Sequence, residues 1–398
     1  MTSTFYRGSV KDLIGPFDCG TQKAIVFEYT DSYSVFDWGK MPDLLPHKGE
    51  ALAILAATFF EKLESPQVWK EFSKTPGALA LRKGNRFGSI FNELGESLQA
   101  EGLRTHYRGV LAKAPQVGPL EPQSVAQMGQ AFRHLVVQPV SVVKPSLASV
   151  LGRTLPDYYP TRNSPFPRLM PLEVVFRMSC PPGSSLVDRV EKDPGYLASL
   201  GFPDLKIEPQ SRWNFPVLEL FTKLESVDRP VMLPEALAIS GLSAGQLQEI
   251  LLKTAWVAGF LQSEFSRLGL ELADGKLEWA VSDSGHCFLV DAMGPDELRI
   301  MKKDVQLSKE VLRDFHRGTP WALSIEKAKA HAKTVGVMDW KRFVTESPPP
   351  LAAQEREVVS QIYMSLANDV SGRKWFPEAW SADRVMEELV ELRKQRVL

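Results

Sequence analysis

The spacing of apolar residues along the first third of the chain predicts one strand followed by helices. Residues 23–30 are rich in β-branched and aromatic side chains, which is typical of a strand. From about Glu50 to Leu63 the apolar residues recur at helical spacing and predict a buried face. That face consists of Leu52, Leu55, Ala56, Phe59, Phe60 and Leu63. Residues 66–105 mix polar and apolar positions and are expected to be helical in part.

The middle of the chain has many prolines and weak periodicity. Residues 113–168 therefore predict an elaborated connection, which ends in the proline-rich loop 156–167. We expect a domain boundary near residue 168, with 1–168 and 169–398 as the two domains.

The second half again combines strand and helix patterns. Residues 171–178 predict a strand, and residues 244–268 predict a long amphipathic helix. Ser243 and Gln246 have capping-box spacing at its start, and Gly269 stands where a helix-terminating glycine belongs. Its predicted buried stripe is Leu247, Ile250, Leu251, Thr254, Val257, Ala258, Leu261 and Phe265. The tail is expected to be helical, with a break at the prolines 348–350. These elements predict an α+β protein with a sheet in each lobe.

A hairpin pattern brings two carboxylates together. Residues 276–281 and 287–292 predict strands, with a turn between them. A two-residue or a four-residue loop gives one register, in which Glu278 lies opposite Asp291. Like charges at that spacing are destabilising unless a cation such as Mg²⁺ lies between them. The alternative is an exposed hairpin with two solvated acids.

Composition limits the classes of function. Hydrophobic residues make up 44% of the chain, charged residues 24%, and the formal net charge is -1. A near-neutral chain has no general attraction for nucleic acid, so an anionic ligand needs a local cluster of cations. The sequence contains no apolar run of membrane-spanning length, and its N-terminus does not resemble a secretory signal. The three cysteines form no CxxC motif and the six histidines lack zinc-ligand spacing, which favours a reducing cytoplasm and no zinc site.

Several short segments, in order, resemble motifs of the SAICAR synthetase family. Residues 6–12 are similar to the family's N-terminal Gly-Lys-Val-Arg/Lys-Asp loop. Residues 30–37 resemble its Thr-Asp-Arg-Ile-Ser-Ala-Phe-Asp motif, and residues 45–49 resemble Ile-Pro-Gly-Lys-Gly. The most specific segment is 171–184, which is similar to the signature beginning Pro-Ile-Glu-Val-Val-Arg.

The resemblance continues to the end of the chain. Residues 221–223 match a Thr-Lys element, and residues 272–280 resemble Leu-Ala-Asp-Thr-Lys-Phe-Glu-Phe-Gly. Residues 289–299 are similar to a segment that contains Thr-Pro-Asp and ends in arginine. The resemblance covers nearly the whole chain, apart from inserts at about 66–100 and 113–168.

This resemblance implies a two-lobed α+β fold, with an antiparallel-rich sheet in each lobe and the active site in the cleft between them. Residues 1–168 would form an ATP-binding lobe, and residues 169–398 a catalytic lobe with a helical tail. The implied enzyme is a ligase of purine biosynthesis that uses ATP and Mg²⁺. It phosphorylates the carboxylate of carboxyaminoimidazole ribonucleotide, and the amine of L-aspartate then attacks the acyl phosphate to give SAICAR, ADP and phosphate. Its partners would be these small molecules, with no nucleic acid or membrane, in a monomer or homo-oligomer.

The resemblance also implies a role for individual residues. The ATP phosphates would be contacted by Gly8, Ser9, Lys11 and Lys223. Magnesium would be held by Glu278 and Asp291, which with Lys223 form the implied catalytic set. The nucleotide substrate would be bound by Lys48, Arg177, Ser184 and Arg299, with Asp37 nearby. Asp228 and Arg229 are assigned to the amino-acid subsite.

The sequence departs from the family motifs near the phosphate and amino-acid subsites. Ser9 replaces the first loop lysine, and Asp228-Arg229 stands where the family has His-Asp. Ala292 and Leu298 replace a glutamate and a serine. Two other functions therefore remain open from the sequence: a paralogous ligase with a different amine or carboxylate substrate, and a nucleotide-binding protein without catalysis.

Overall fold

The structure is a computed structural model that describes residues 4–181, 183–208, 211–225, 227–337 and 339–397, and it divides into two compact units. Unit 1 consists of Met1–Phe59, Tyr107–Pro139 and Met293–Leu398. Unit 2 consists of Phe60–His106 and Val140–Ala292. Each unit thus assembles segments that are distant in the sequence. The proline-rich stretch 113–168 contributes to both units.

Strands and helices follow one another in runs along the described residues. The strands are β1 (Thr4–Arg7), β2 (Lys11–Cys19), β3 (Gln22–Tyr29), β4 (Tyr107–Leu111), β5 (His134–Val137), β6 (Ser146–Val150), β7 (Arg153–Asp157), β8 (Arg168–Ser179), β9 (Arg212–Thr222), β10 (Pro230–Val231), β11 (Glu271–Val281), β12 (Cys287–Val290), β13 (Leu298–Lys302) and β14 (Val305–Gln306). The helices are α1 (Lys48–Glu64), α2 (Pro66–Phe72), α3 (Pro76–Gly84), α4 (Ser89–Glu101), α5 (Tyr159–Arg162), α6 (Ser185–Lys192), α7 (Tyr196–Ser199), α8 (Leu233–Ser240), α9 (Ala244–Arg267), α10 (Glu310–His316), α11 (Pro320–Thr334), α12 (Ala353–Ser371) and α13 (Ala382–Val397). Short 3₁₀ turns occupy Val125–Gln127 and Trp340–Phe343. The strands predicted at 23–30 and 171–178 and the helices predicted at 50–63 and 244–268 are confirmed.

Unit 1 is built around an antiparallel sheet in the order β1-β2-β3-β5-β4. Ile14, Phe17 and Val26 form part of the apolar cluster on this sheet. The predicted apolar face of α1 is buried throughout. Gly49 near its start is required by a close approach, because a Cβ there would lie 2.5 Å from the Tyr29 carbonyl oxygen. The first turn of α1 is thereby held against the end of β3.

Unit 2 is built around an antiparallel sheet in the order β10-β9-β8-β11, with β12 paired to the end of β11. Helix α9 packs against β8, β9 and β11. Its capping box is present, since the Ser243 hydroxyl accepts from the Gln246 amide at 3.2 Å and the Gln246 side chain accepts from the Ser243 amide at 2.9 Å. Gly269 adopts a left-handed φ of 68° after the last turn, as predicted. The predicted stripe is buried except for Leu251, which is half-buried.

Among the helices in the described ranges, none has the length and hydropathy needed to cross a membrane.

A buried polar cluster in unit 1 is expected to make the stability of the protein depend on pH. The Tyr33 hydroxyl donates to Asp43 Oδ1 at 2.8 Å and lies 3.2 Å from His316 Nε2. Burial lowers the pKa of His316 to about 4, although the Asp43 carboxylate opposes this effect. The neutral imidazole is therefore favoured in the folded protein, and its contribution to stability is fully present above the ordinary histidine pKa of about 6.5.

That contribution is lost as the pH falls from 6.5 towards 4. We expect the His316 contribution to the free energy of unfolding to decrease by roughly 2 kcal/mol between pH 7 and pH 5. Urea denaturation of the wild type and of His316→Gln at both pH values measures it, because other titrating groups cancel in the difference. Equal pH dependence in the two proteins would contradict the assignment.

Candidate active site

Three neighbouring strands of unit 2 present a group of charged side chains on one face of the sheet. Alternate residues of a strand point to the same side, and the register aligns Arg177 with Asp274 and Glu173 with Glu278. Val175 of β8 lies opposite both Glu219 and Lys276, so these two residues share that side. We call this surface the charged face; its members are Glu173, Arg177, Glu219, Lys223, Asp274, Lys276 and Glu278. Each lies on or directly after β8, β9 or β11, so the sheet fixes their relative positions.

One half of the charged face is a cluster of two lysines and two glutamates. Lys223 Nζ donates to Glu173 Oε1 at 3.0 Å and also contacts the Glu278 carboxylate directly. Lys276 Nζ donates to the same Glu173 oxygen at 2.7 Å. Burial opposes the ionisation of Glu173, but the charges of Lys276 and Lys223 outweigh it and hold the pKa of Glu173 below its usual range. The lysines thus stabilise an acid pair that would otherwise repel across the strands.

The charge of Asp291 also acts on this cluster, but the pairing across its hairpin differs from the prediction. The hairpin exists, but Glu278 pairs with Val290 and not with Asp291. The loop between the strands has three residues, Asp283–Gly285, since the Ser282 amide donates to the His286 carbonyl at 2.9 Å. Gly285 takes the left-handed φ of 81° that such a loop requires, and its odd length shifts the register by one residue. The predicted register is therefore wrong.

The two carboxylates are nevertheless electrostatic neighbours. Asp291 follows β12 with a φ of 73°, which interrupts the alternation of side chains along the strand. Burial and the charge of Asp291 together raise the pKa of Glu278 to about 7, against the opposing charge of Lys223. Within the described residues no group of three or more His, Cys, Asp or Glu side chains forms a metal site made by protein alone. Two carboxylates suffice for Mg²⁺ when substrate phosphates supply the remaining oxygen ligands, so the donors fit that cation.

The other half of the charged face is centred on Arg177. Its Nε donates to Glu219 Oε2 at 2.5 Å, and its Nη1 donates to Asp274 Oδ2 at 3.0 Å. The hydroxyl of Ser184 lies 3.5 Å from the same Nη1. Burial alone would lower the pKa of Arg177, but the charges of Asp274 and Glu219 raise it. Carboxylates of the protein itself therefore neutralise this buried guanidinium.

Glu219 of the charged face accepts hydrogen bonds from three side chains. It is fully buried and accepts from Arg177, from Arg189 Nε at 2.8 Å and from the Tyr196 hydroxyl at 2.7 Å. A charge-assisted network of this kind fixes the orientation of the guanidinium before any ligand arrives.

Asp228 and Arg229 lie just before β10, outside the charged face as defined. Arg229 donates to Glu225 through Nε and Nη2 at 3.1 Å each, and Nη2 also donates to Glu235 Oε1 at 2.7 Å. These bonds raise the pKa of Arg229, and the side chain remains 41% exposed. Asp228 is exposed. The guanidinium is therefore oriented by two glutamates and still reaches solvent.

The sequence-predicted phosphate loop is the tight turn between β1 and β2 in unit 1. The Gly8 amide donates to the Lys11 carbonyl at 3.0 Å, and a Cβ on Gly8 would overlap with that oxygen. Glycine is thus required for the turn that carries Ser9. Lys11 begins β2, with its Nζ 4.5 Å from the Phe27 ring centre.

The remaining predicted substrate residues also belong to unit 1 and differ in exposure. Lys48 is fully buried and donates to Asp296 Oδ2 at 2.9 Å. Asp37 has a 67% exposed side chain and accepts from Lys329 at 2.9 Å. Arg299 lies on β13 and is partly exposed. In this structure the charge of Lys48 is neutralised by a protein carboxylate.

Comparison with known proteins identifies the family. The sequence profile described as SAICAR synthetase matches residues 4–122 and 167–327, more than half of the chain. The chain belongs to the SAICAR synthetase family. A provisionally named phosphoribosylaminoimidazole-succinocarboxamide synthase of Archaeoglobus fulgidus is 32% identical over 389 residues, 97% of this chain and 99% of the relative. The synthase of Thermoplasma acidophilum is 30% identical over 218 residues, 52% of this chain and 69% of the relative.

Solved structures of SAICAR synthetases share the fold. A SAICAR synthase aligns with a TM-score of 0.55 and 16% identity over 94% of this chain and 96% of that one. A type-2 SAICAR synthetase in complex with ADP aligns with a TM-score of 0.52 and 18% identity over 93% of this chain and 98% of that one. The α+β class and the antiparallel sheets predicted from the sequence are thus confirmed.

Four members of the charged face are not among the residues predicted for the SAICAR synthetase site: Glu173, Glu219, Asp274 and Lys276. Their signal is present in the sequence. Glu173 precedes Arg177 by four residues, and Asp274, Lys276 and Glu278 follow one another at every second position. This spacing places polar side chains on the same side of a strand as the predicted residues.

Proposed function

We propose that this member of the SAICAR synthetase family is an ATP-dependent carbon–nitrogen ligase of purine biosynthesis. It condenses carboxyaminoimidazole ribonucleotide with L-aspartate through an acyl phosphate and releases SAICAR, ADP and phosphate. The observation that carries the proposal is the contact of Lys223 with Glu278, with the Asp291 charge beside it, in a chain that aligns end to end with a relative named for this reaction. Small metabolites as substrates favour a cytoplasmic enzyme.

Glu278 and Asp291 are proposed to hold Mg²⁺, which when bound would neutralise charge on the transferred phosphoryl group. Lys223 contributes a positive charge beside these two carboxylates, and its ammonium is oriented by the bond to Glu173. The turn at Gly8–Lys11 is proposed to contact the ATP phosphates through backbone amides and the Lys11 charge.

The nucleotide substrate is assigned to Lys48, Arg177, Ser184 and Arg299, with Asp37 nearby. Arg177 suits this role because Glu219 and Asp274 already hold its planar fork in one orientation. Asp228 and Arg229 are assigned to aspartate, since Arg229 is fixed by two glutamates and is still exposed. An oriented, exposed arginine is suited to gripping a carboxylate.

The purified protein should form SAICAR only when ATP, Mg²⁺, the ribonucleotide and aspartate are all present. A coupled assay for ADP release, with a panel of amino acids, measures this, and chelation with EDTA should abolish turnover until Mg²⁺ is restored. Turnover with another amine and none with aspartate would instead identify a paralogous ligase. No turnover with any amine, together with tight ATP binding, would identify a nucleotide-binding protein.

A further inference from the structure

A two-residue turn in unit 1 holds its backbone in an unfavourable conformation. Phe36 and Asp37 have φ values of 56° and 62°, in the left-handed region that bulky side chains rarely adopt. Such a conformation persists only where the surrounding structure imposes it. The turn carries Asp37, whose side chain is 67% exposed.

Aromatic packing from the C-terminal helices restrains this turn on both sides of Asp37. The Phe36 ring lies 5.8 Å from Trp321, and the Trp38 ring lies 5.8 Å from Trp321 in an edge-on arrangement. Trp38 also lies 6.4 Å from Trp340. Phe36 and Trp38 are thereby held against α11 and the 3₁₀ turn that follows it.

Lys329 fixes the carboxylate itself. Its Nζ donates to Asp37 Oδ2 at 2.9 Å and lies 4.7 Å from the ring centre of Trp340. The ammonium is therefore held between an aromatic face and the acid, which limits the rotamers of both side chains. The part of the Asp37 carboxylate that is shielded from solvent would raise its pKa, but the bond to Lys329 and the charge of Lys329 lower it, so the carboxylate stays ionised.

Asp37 is covered by the SAICAR synthetase profile, and its partner Lys329 is not. Asp37 lies within the segment matched by the SAICAR synthetase profile, whereas Lys329 and Trp340 lie beyond its last matched residue, 327. Tyr363, also beyond the match, donates to Asp296 Oδ1 at 2.6 Å, and Asp296 in turn binds Lys48. The segment after residue 327 therefore binds Asp37 directly, through Lys329. It also binds Asp296, the partner of Lys48, through Tyr363.

We propose that Lys329 is a positioning residue for the ribonucleotide substrate, acting through Asp37. The inference rests on the proposed function, because it takes Asp37 as a substrate contact. Lys329 binds Oδ2 of Asp37 and orients the carboxylate. The carboxylate then accepts a hydrogen bond from a hydroxyl or amino group of the ribonucleotide. An ionised acid repels phosphate, so the contact lies away from the substrate's phosphate group.

Steady-state kinetics of Lys329→Met test this role, with Lys329→Arg as the conservative variant. We expect Lys329→Met to raise the KM of the ribonucleotide about three- to fivefold, the upper part of the range for losing one partly exposed charged contact. Its kcat and its KM for ATP should stay within about twofold of the wild type, and Lys329→Arg should restore the ribonucleotide KM to within the same factor. Lys327→Met, an exposed lysine of the same helix, is the matched control and should behave as the wild type.

Two results would overturn the inference. One is identical kinetics in Lys329→Met and Lys327→Met. The other is an equal rise of every KM accompanied by a lower melting temperature, which would mean that Lys329 only supports the fold. If the wild type shows no turnover, the proposed function fails, and direct calorimetric titration of the ribonucleotide then decides the role of Lys329. Weaker binding in Lys329→Met than in Lys327→Met supports it, and equal or absent binding overturns it.

Discussion

Glu278→Gln should lower kcat by about a hundredfold or more while leaving the fold intact. The substitution keeps the size of the side chain but removes the charge that contacts Lys223 and lies beside Asp291. A neutral amide is a poor ligand for Mg²⁺ compared with a carboxylate. Lys223 retains Glu173 as a partner at 3.0 Å, so no buried cation is left without an acid.

The measurement is kcat as a function of Mg²⁺ concentration, with urea denaturation to verify folding. Glu249→Gln is the matched control, because that glutamate pairs with Lys253 on α9 and is 38% exposed. A wild-type rate with unchanged Mg²⁺ dependence in Glu278→Gln would remove the carboxylate pair from the proposed metal site.

Arg177→Ala should reduce the free energy of unfolding by about 3–5 kcal/mol. Removing the guanidinium leaves Glu219 and Asp274 close together, and Glu219 is fully buried. Glu219 keeps Arg189 and the Tyr196 hydroxyl as donors but loses the charge of Arg177, so part of the cost of burying its carboxylate is no longer offset.

Urea denaturation measures this effect, and Arg212→Ala serves as the control. Arg212 also pairs with a glutamate, Glu271, but its side chain is 73% exposed, so its removal should cost less than about 1 kcal/mol. Equal losses in the two variants would contradict the network around Glu219.

The variant Arg177→Lys keeps the positive charge but loses the planar fork of the guanidinium. It should therefore raise the KM of the ribonucleotide more than the KM of ATP.

Local elements are predictable from the sequence because their signals are local. The capping box at Ser243 and Gln246, the glycine after α9 and the apolar face of α1 each depend on residues a few positions apart. The hairpin is predictable for the same reason. Its register is not, since it depends on whether Gly285 adopts a left-handed conformation within a three-residue loop, and one residue of difference exchanges the two faces of a strand.

The sequence-based prediction mainly misses ion-pair partners that are distant in the sequence. An arginine on an apolar strand indicates that a negative charge lies nearby, and the sequence-based prediction assigns that charge to a ligand. The structure supplies Glu219 and Asp274 from the two neighbouring strands. Lys48 is likewise assigned to substrate, and its partner Asp296 is 248 residues away. Such pairs require the strand order and the tertiary contacts, which no local pattern specifies.

The interleaving of the two units has a consequence for the order of events during synthesis. Unit 2 ends at Ala292, whereas unit 1 needs both the first strands and the segment that begins at Met293. Because domains generally fold as units while the chain emerges from the ribosome, we expect unit 2 to fold first. The early strands β1–β3 must then wait for about 280 further residues before α10–α13 become available to them, as the bounds of β3 and α10 require. In ribosome-bound chains that end after residue 292 and carry a linker long enough to place that residue outside the ribosome, unit 2 should therefore resist proteolysis while the N-terminal strands remain open to cleavage.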